Sequence, residues 1–343
     1  MPSVLPHEFT AGWPKRWPTA RKNLAVYTLA DMPLPIACIV DLGSNAIRFL
    51  VACPNQEGQF DVLHRDRRPV RIGDSVFTTG KVGDEAQRII DTIHHFQRVG
   101  MKFADKTTGA ALQWLVVATS ALREANDRDQ VVQRVKSATR IDIKILSGEQ
   151  EAELALRSVT AVRPLPGPFL VADLGGGSLE LILGQDSQML RCSSFQLGAV
   201  RWQKAVDSAN TDALDSIQQE IHRLRTFTAN HRARTCIGLG GAFRAMHQVA
   251  AKRELNNTLL QQWRSVLAPL SPDARNQRFA IPQDRADIIL PAIDALSLTL
   301  EAVQGTAWTQ VEGVGGIADG LAQYIIQSQV DQKDRPHWFE ISL

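Results

Sequence analysis

Two short stretches of the chain place an acid, a turn of small residues and a second charged group at one spacing. In "IVDLGSNAIRFLV" Asp41 is followed seven positions later by Arg48, and in "VADLGGGSLELIL" Asp173 is followed seven positions later by Glu180. A turn of small residues exposes consecutive backbone N–H groups, a concavity that binds anions and that bulky side chains would obstruct. An aspartate at the strand end can hold a divalent cation or orient water. Phosphoryl transfer requires both parts, donors for the phosphate oxygens and a hard cation with oxygen ligands. The first turn offers Asp41, Ser44 and Asn45, and Arg48 interrupts an otherwise apolar strand where its guanidinium would match a phosphate in a bidentate fork. The second offers Asp173 and the backbone of Gly175, Gly176, Gly177 and Ser178. A third, "GLGGAFR", sets Gly240 and Gly241 between a strand and a helix, where amides at the helix N-terminus would meet an anion. One such turn alone reads as a plain hairpin; two Asp-Leu-Gly turns in corresponding positions, with a third glycine turn, favour a ligand.

Two glutamates and an arginine join this set. Glu180 lies in "LELIL", where β alternation sends Leu179, Leu181 and Leu183 to one face and Glu180 and Ile182 to the other; a solvated, outward glutamate is the alternative. Glu151 falls in the first turn of an expected helix, where the dipole favours an anion and would lower its pKa. Glu149 and Glu153 fit a surface role there equally well. Arg123 follows a strand end, which suits a ligand contact as well as a surface position.

These residues need elements to hold them. Residues 36–53 read as two apolar strands joined by the first turn, with a third strand near 60–65. Ile89, Ile90, Ile93 and Phe96 recur at helical spacing and predict an amphipathic helix over 84–99. A buried strand over 112–120 precedes a helix bearing Val131, Val132 and Val135, for which Asp127 and Gln130 offer a capping box. A strand over 141–146 leads to a second capping box, Ser147 with Gln150, opening a helix to about residue 161. After a proline-rich linker at 162–168 the pattern begins again. Strands flank the second turn over 169–184, a third follows near 192–197, and a long helix covers 211–230. Beyond the third turn, helices are expected over 287–303 and 316–327, with a short strand near 309–312. Asp41 and Asp173, 132 positions apart, mark an internal repeat. Two such α/β domains facing each other would set a ligand in the cleft between them. The expected organisation is an N-terminal extension at 1–35, poorly ordered and with Met32 directly ahead of the first strand, a domain at 36–161, the linker, a domain at 169–330, and a tail at 331–343.

The bulk composition narrows the partners. A formal net charge of +2, with 44% hydrophobic and 22% charged residues, gives no argument for a nucleic-acid or membrane partner. No apolar run approaches the roughly 20 residues of a membrane span. Cys38, Cys53, Cys192 and Cys236 are far apart with no C-x-x-C pair, which argues against a zinc site or disulfide framework and fits a reducing cytoplasm.

The same residues resemble the actin-like (ribonuclease H-like) ATPase superfold, and more narrowly the exopolyphosphatase / guanosine pentaphosphate phosphohydrolase (Ppx/GppA) family. Beyond the turns, "VATSALREAND" (117–127), "ILSGEQEAELAL" (145–156), "VADLGGGSLEL" and "SSFQLGAVR" (193–201) are similar to that family's blocks, in order over about residues 36 to 325. The resemblance implies two actin-like domains with mixed sheets flanked by helices and an active site in the cleft between them. It further implies that Glu151 activates the attacking water, that Asp173 and Glu180 hold magnesium or another divalent cation, and that Ser44, Asn45, Arg48, Arg123 and the Gly175–Ser178 backbone contact phosphate. The implied substrate is inorganic polyphosphate first and guanosine pentaphosphate second; the implied assembly is a homodimer. A kinase of the same superfold and a non-catalytic sensor of polyphosphate or guanosine tetraphosphate are the rivals. Ala242 and Ala318 stand where the family carries a hydroxyl and an arginine, and a short form without an added C-terminal helical domain is expected.

Overall fold

The computed structural model describes residues 36–55, 59–104 and 112–330, with side chains as far as Ile325. The expected extension at 1–35 and tail at 331–343 lie outside the described residues. The first half runs β1 (Ile36–Leu42), β2 (Ile47–Pro54), β3 (Phe60–Arg68), α1 (Ile72–Thr79), α2 (Glu85–Ala104), β4 (Leu112–Ala118), α3 (Ser120–Glu124), α4 (Arg128–Thr139), β5 (Ile143–Ile145) and α5 (Gly148–Thr160). The second runs β6 (Pro168–Leu174), β7 (Leu179–Gln185), β8 (Gln188–Phe195), α6 (Ala199–Ser208), α7 (Thr211–Thr228), β9 (Thr235–Leu239), α8 (Gly241–Ala250), β10 (Glu254–Leu255), α9 (Asn257–Leu267), α10 (Pro272–Phe279), α11 (Gln283–Ala286), α12 (Ile289–Ala302), β11 (Trp308–Thr309) and α13 (Ile317–Val330).

The repeat seen in the sequence is a repeat of topology. The first sheet has the order β3-β2-β1-β4-β5 and the second β8-β7-β6-β9-β11, with β10 added at the outer edge. In each, three antiparallel strands precede parallel ones reached through helices. This is the duplicated actin-like arrangement. Every residue of β1 is buried, as expected of a central strand covered on both faces. The alternation read in β7 holds: Leu179, Leu181 and Leu183 join the core formed with α6, α7 and α12, while Ile182 packs on the opposite face.

Two helices cross from one half to the other. Ala152, Ala155 and Val159 of α5 pack on Phe169, Val171 and Ile182 of the second sheet. Ile317, Leu321 and Ala322 of α13 pack on Ile39, Leu50 and Val117 of the first. α5 and α13 also pack on each other, and Gly320 sets how closely: a Cβ there would overlap the Leu154 carbonyl oxygen. The outer faces are covered by α2 and α4 on one sheet and by α6, α7, α9 and α12 on the other.

One of the two expected capping boxes forms. The Gln150 amide donates to Ser147 Oγ at 3.2 Å and the Ser147 amide to Gln150 Oε1 at 2.8 Å, closing the start of α5. The Asp127 box does not form. That carboxylate accepts the amides of Val82 and Gly83, each at 2.9 Å, because the preceding loop brings two unsatisfied donors closer than its own helix does. The strand expected near 192–197 begins earlier, at Gln188.

An alanine in place of a helical glycine ordinarily gains about 0.5–1 kcal/mol, whereas overpacking a filled interface costs about 1–3 kcal/mol. At Gly320 the second effect wins, since the overlap is with backbone rather than a movable side chain. Gly320→Ala is therefore expected to lower the urea midpoint; a raised midpoint would show that α13 stands off α5.

Candidate active site between the two sheets

The two hairpin turns are built alike and meet tip to tip. Gly43 N–H donates to the Ala46 carbonyl at 3.2 Å and Gly175 N–H to the Ser178 carbonyl at 3.0 Å. Among the described residues, the amides of Ser44, Asn45, Gly176 and Gly177 find no protein acceptor. A Cβ on Gly176 would lie 3.1 Å from the Asn45 nitrogen, and one on Gly177 would meet Ser44 Oγ at 2.7 Å and overlap Ser120 Oγ. Behind it, a Cβ on Gly198 would overlap the backbone of Gly177 and Ser178. The triplet is thus glycine because protein closes on it from both sides, the first turn in front and Gly198 behind. Gly240, at φ +98°, brings the third turn against the Leu174 carbonyl and within reach of Asp173; only glycine holds that conformation freely.

Strand register decides what faces what. Asp41 lies opposite Arg48, which donates from Nη1 to Asp41 Oδ2 at 2.7 Å; Asp173 lies opposite Glu180. The duplicated position thus carries a cation in one hairpin and an acid in the other. Glu180 is 2% exposed and accepts from Ser194 Oγ at 2.8 Å, which excludes a solvated glutamate. Glu151 is 3% exposed while Glu149 is at the surface, so burial separates glutamates that helical position did not. Arg123 donates to Glu151 and, at 2.6 Å, to the Leu146 carbonyl; it too is not a free surface arginine.

The electrostatics correct one expectation. Glu151 has its pKa raised well above the ordinary range, not lowered: burial dominates, Glu180 adds to it, and Arg123 only partly offsets both. The helix dipole is a small effect beside loss of solvent. Burial and Asp173 push Glu180 up to about 7, against the hydrogen bonds from Ser178 and Ser194. Asp173 is raised by burial, and Arg48 and Arg244 oppose the shift.

Several members of this site escaped the sequence reading. Asn45 donates through Nδ2 to the Asp284 carbonyl at 2.9 Å and to its carboxylate at 3.1 Å, and Arg67 donates to the same carboxylate. Arg71 pairs with Asp287 at 2.8 Å, so the 282–287 segment ties the second half to the first. The Arg285 guanidinium fills the space at Gly241. Burial, with Arg48 and Arg67 nearby, lowers its pKa to about 9, and burial with Arg48 lowers Arg244 to about 10. No periodicity marks "PQDRAD"; Arg244 closes the quoted third turn and was the readable one. Ala242, next to Gly241 at the start of α8, and Ala318 in α13 both pack into cores.

Asp173 and Glu180 fit a hard divalent cation. They are cross-strand partners, burial raises the pKa of both, and Asp41 Oδ1 is buried without a partner. Among the described residues no three His, Cys, Asp or Glu converge on one point. That suits magnesium, which takes one or two carboxylates and completes its shell with water and substrate oxygens.

The raised Glu180 has a consequence for stability. Folded, it keeps its proton up to about 7; unfolded, it releases it near the ordinary 4.5. The folded state therefore binds more protons between those values, and its stability is full below the lower one and falls as pH rises through the upper. In a chelating buffer the urea midpoint is expected to fall from about pH 5 to about pH 8, and less steeply in Glu180→Gln. Equal slopes would show that Glu180 ionises as readily folded as unfolded.

The comparisons with known proteins agree with this geometry. The Ppx/GppA phosphatase family matches residues 51–315. Exopolyphosphatase 1 of Mycobacterium tuberculosis is 26% identical over 305 residues, covering 80% of this chain and 86% of its own. Among solved structures, an exopolyphosphatase from Cytophaga hutchinsonii superposes with a TM-score of 0.72 at 21% identity, over 85% of this chain and 98% of that one. The Aquifex aeolicus Ppx/GppA family member gives 0.67 at 20% identity, over 88% and 100%. With its duplicated fold, its paired turns and a match over most of its length, the chain belongs to the Ppx/GppA phosphatase family and is a phosphohydrolase.

Proposed function

We propose that the chain is an exopolyphosphatase, releasing terminal orthophosphate from inorganic polyphosphate with magnesium as its cation. The observation that carries this is Glu151, a buried carboxylate held by Arg123 and within electrostatic reach of Glu180 and Asp41, the acids of the two hairpins. The names of the relatives, exopolyphosphatases of Mycobacterium and Cytophaga, support the substrate.

The residues divide the work. The free amides of Ser44, Asn45, Gly176 and Gly177, with Arg48, would hold the oxygens of the terminal phosphate, acting where charge develops. Glu151 would orient a water toward the terminal phosphorus and take its proton as the new P–O bond forms. The bridging P–O bond breaks with its electron pair leaving on the shortened chain, so the products are orthophosphate and a polymer one unit shorter. A base with a raised pKa accepts that proton more readily, at the cost of being protonated at low pH. Arg123 would keep Glu151 directed and partly ionised. A magnesium ion on Asp173 and Glu180 would supply positive charge to the phosphate oxygens.

Glu151→Gln keeps the size and the Arg123 contact but removes the base. It is expected to lower kcat for orthophosphate release from polyphosphate by about 10²–10⁴-fold while polyphosphate still binds. Because Glu151 must lose its proton to act, parent kcat is expected to rise with pH above the range in which an ordinary carboxylate titrates. Unchanged turnover in the variant would remove Glu151 from the chemistry; no release by the parent from polyphosphate would overturn the substrate.

A further inference from the structure

A cavity of about 940 Å³ is bounded by α8, β10, β11 and the linker at 162–163. Its walls carry four cations, Arg163, Arg244, Lys252 and Arg253, against two acids, Glu254 and Glu312. Among the described residues none of the four cations has an ion pair or a side-chain hydrogen bond. The arginines nearer the turns differ, since Arg48, Arg67 and Arg123 each have a carboxylate partner. Four unpaired cations around one concavity repel one another and are offset by a bound polyanion.

One side chain and one helix link the cavity to the site. Arg244 lines it and also lies close enough to Asp173 to oppose the rise in that group's pKa. α8 starts at the third glycine turn, which abuts Asp173, and ends just before Lys252 and Arg253. Its ten residues span about 15 Å. The far pair is fixed in place: His247, buried, bonds through Nδ1 to the Lys252 carbonyl at 2.9 Å, anchoring the loop. No Phe, Tyr or Trp lines the cavity, and the one aromatic ring that does, His247, is buried against Phe243, which disfavours stacking of a nucleobase.

We infer that this cavity is a subsite for the distal phosphates of a polyphosphate chain, with Arg244 as the link from the terminal-phosphate site and Lys252, Arg253 and Arg163 as its outer contacts. It rests on the proposed exopolyphosphatase activity and adds to it a preference for long chains. Arg244 is then a substrate-binding residue, and Lys252 and Arg253 determine chain-length preference.

The test compares the parent with a Lys252→Gln, Arg253→Gln double variant on tripolyphosphate and on long-chain polyphosphate. Both residues are exposed, so the fold is not at stake. Two exposed charge contacts predict roughly a three- to thirty-fold rise in KM for the long chain, a much smaller one for tripolyphosphate, and a loss of the difference in high salt. The double variant Arg134→Gln, Lys136→Gln on α4 removes the same charge elsewhere and is expected to leave chain-length preference unchanged. A second arm needs no turnover: long-chain polyphosphate is titrated into Glu151→Gln protein with and without the Lys252, Arg253 changes, and affinity is expected to fall by the same factor. If the parent releases no phosphate, the proposed function fails while this arm still reads the subsite. Equal affinity in both proteins, or a loss of guanosine nucleotide binding in place of polyphosphate binding, would overturn the inference.

Discussion

Glu151 and Glu180 are buried next to one another, and the cost of keeping two carboxylates out of water governs what surrounds them. Removing an ion from water costs several kcal/mol even after the protein relaxes. The fold answers with what it has: Arg123 on Glu151, and the hydroxyls of Ser178 and Ser194 on Glu180. Those contacts are insufficient, and both groups hold their protons above the ordinary range. A site left this electronegative is prepared for a cation, and one that also presents unpaired amides and arginines is prepared for a phosphate.

Duplication explains how both preparations fit in one cleft. The same hairpin occurs twice, closed by the same backbone hydrogen bond and packed tip to tip. The two copies differ at the position facing the aspartate. Arg48 pairs with Asp41 in the first hairpin, which under the proposed function suits that copy to an anion, while Glu180 stands opposite Asp173 in the second, which suits that copy to a cation beside its free amides. One position of the repeated unit thus carries opposite charge in its two copies.

The halves are joined by more than the cleft. α5 and α13 pack across, each on the other half's sheet, and the 282–287 segment reaches Asn45, Arg67 and Arg71. The Asp284 carboxylate thereby occupies the Asn45 side-chain amide, which the sequence assigned to phosphate, and Arg285 lies against the third turn. The phosphate-facing side of the site is consequently coupled to how the two halves sit together.

Strand pairs, turns, most helices and the internal repeat were legible from the sequence, because alternation, helical spacing and glycine turns express local geometry. Asp41, Asp173 and Glu180 were legible as chemistry because charged residues stood where an apolar strand would otherwise continue. Glu151 was not distinguishable from Glu149 and Glu153 by its own helix; the family resemblance selected it, burial then separated it from Glu149, and its Arg123 contact separated it from Glu153, which pairs with Arg157. The sign of its pKa shift, the partner of Asp127, the docking of α13 and the arrival of Asp284 and Arg285 were decided by the tertiary structure alone. Each depends on which groups from distant segments exclude water from a point in space, and desolvation, unlike periodicity, has no signature within a single stretch of chain.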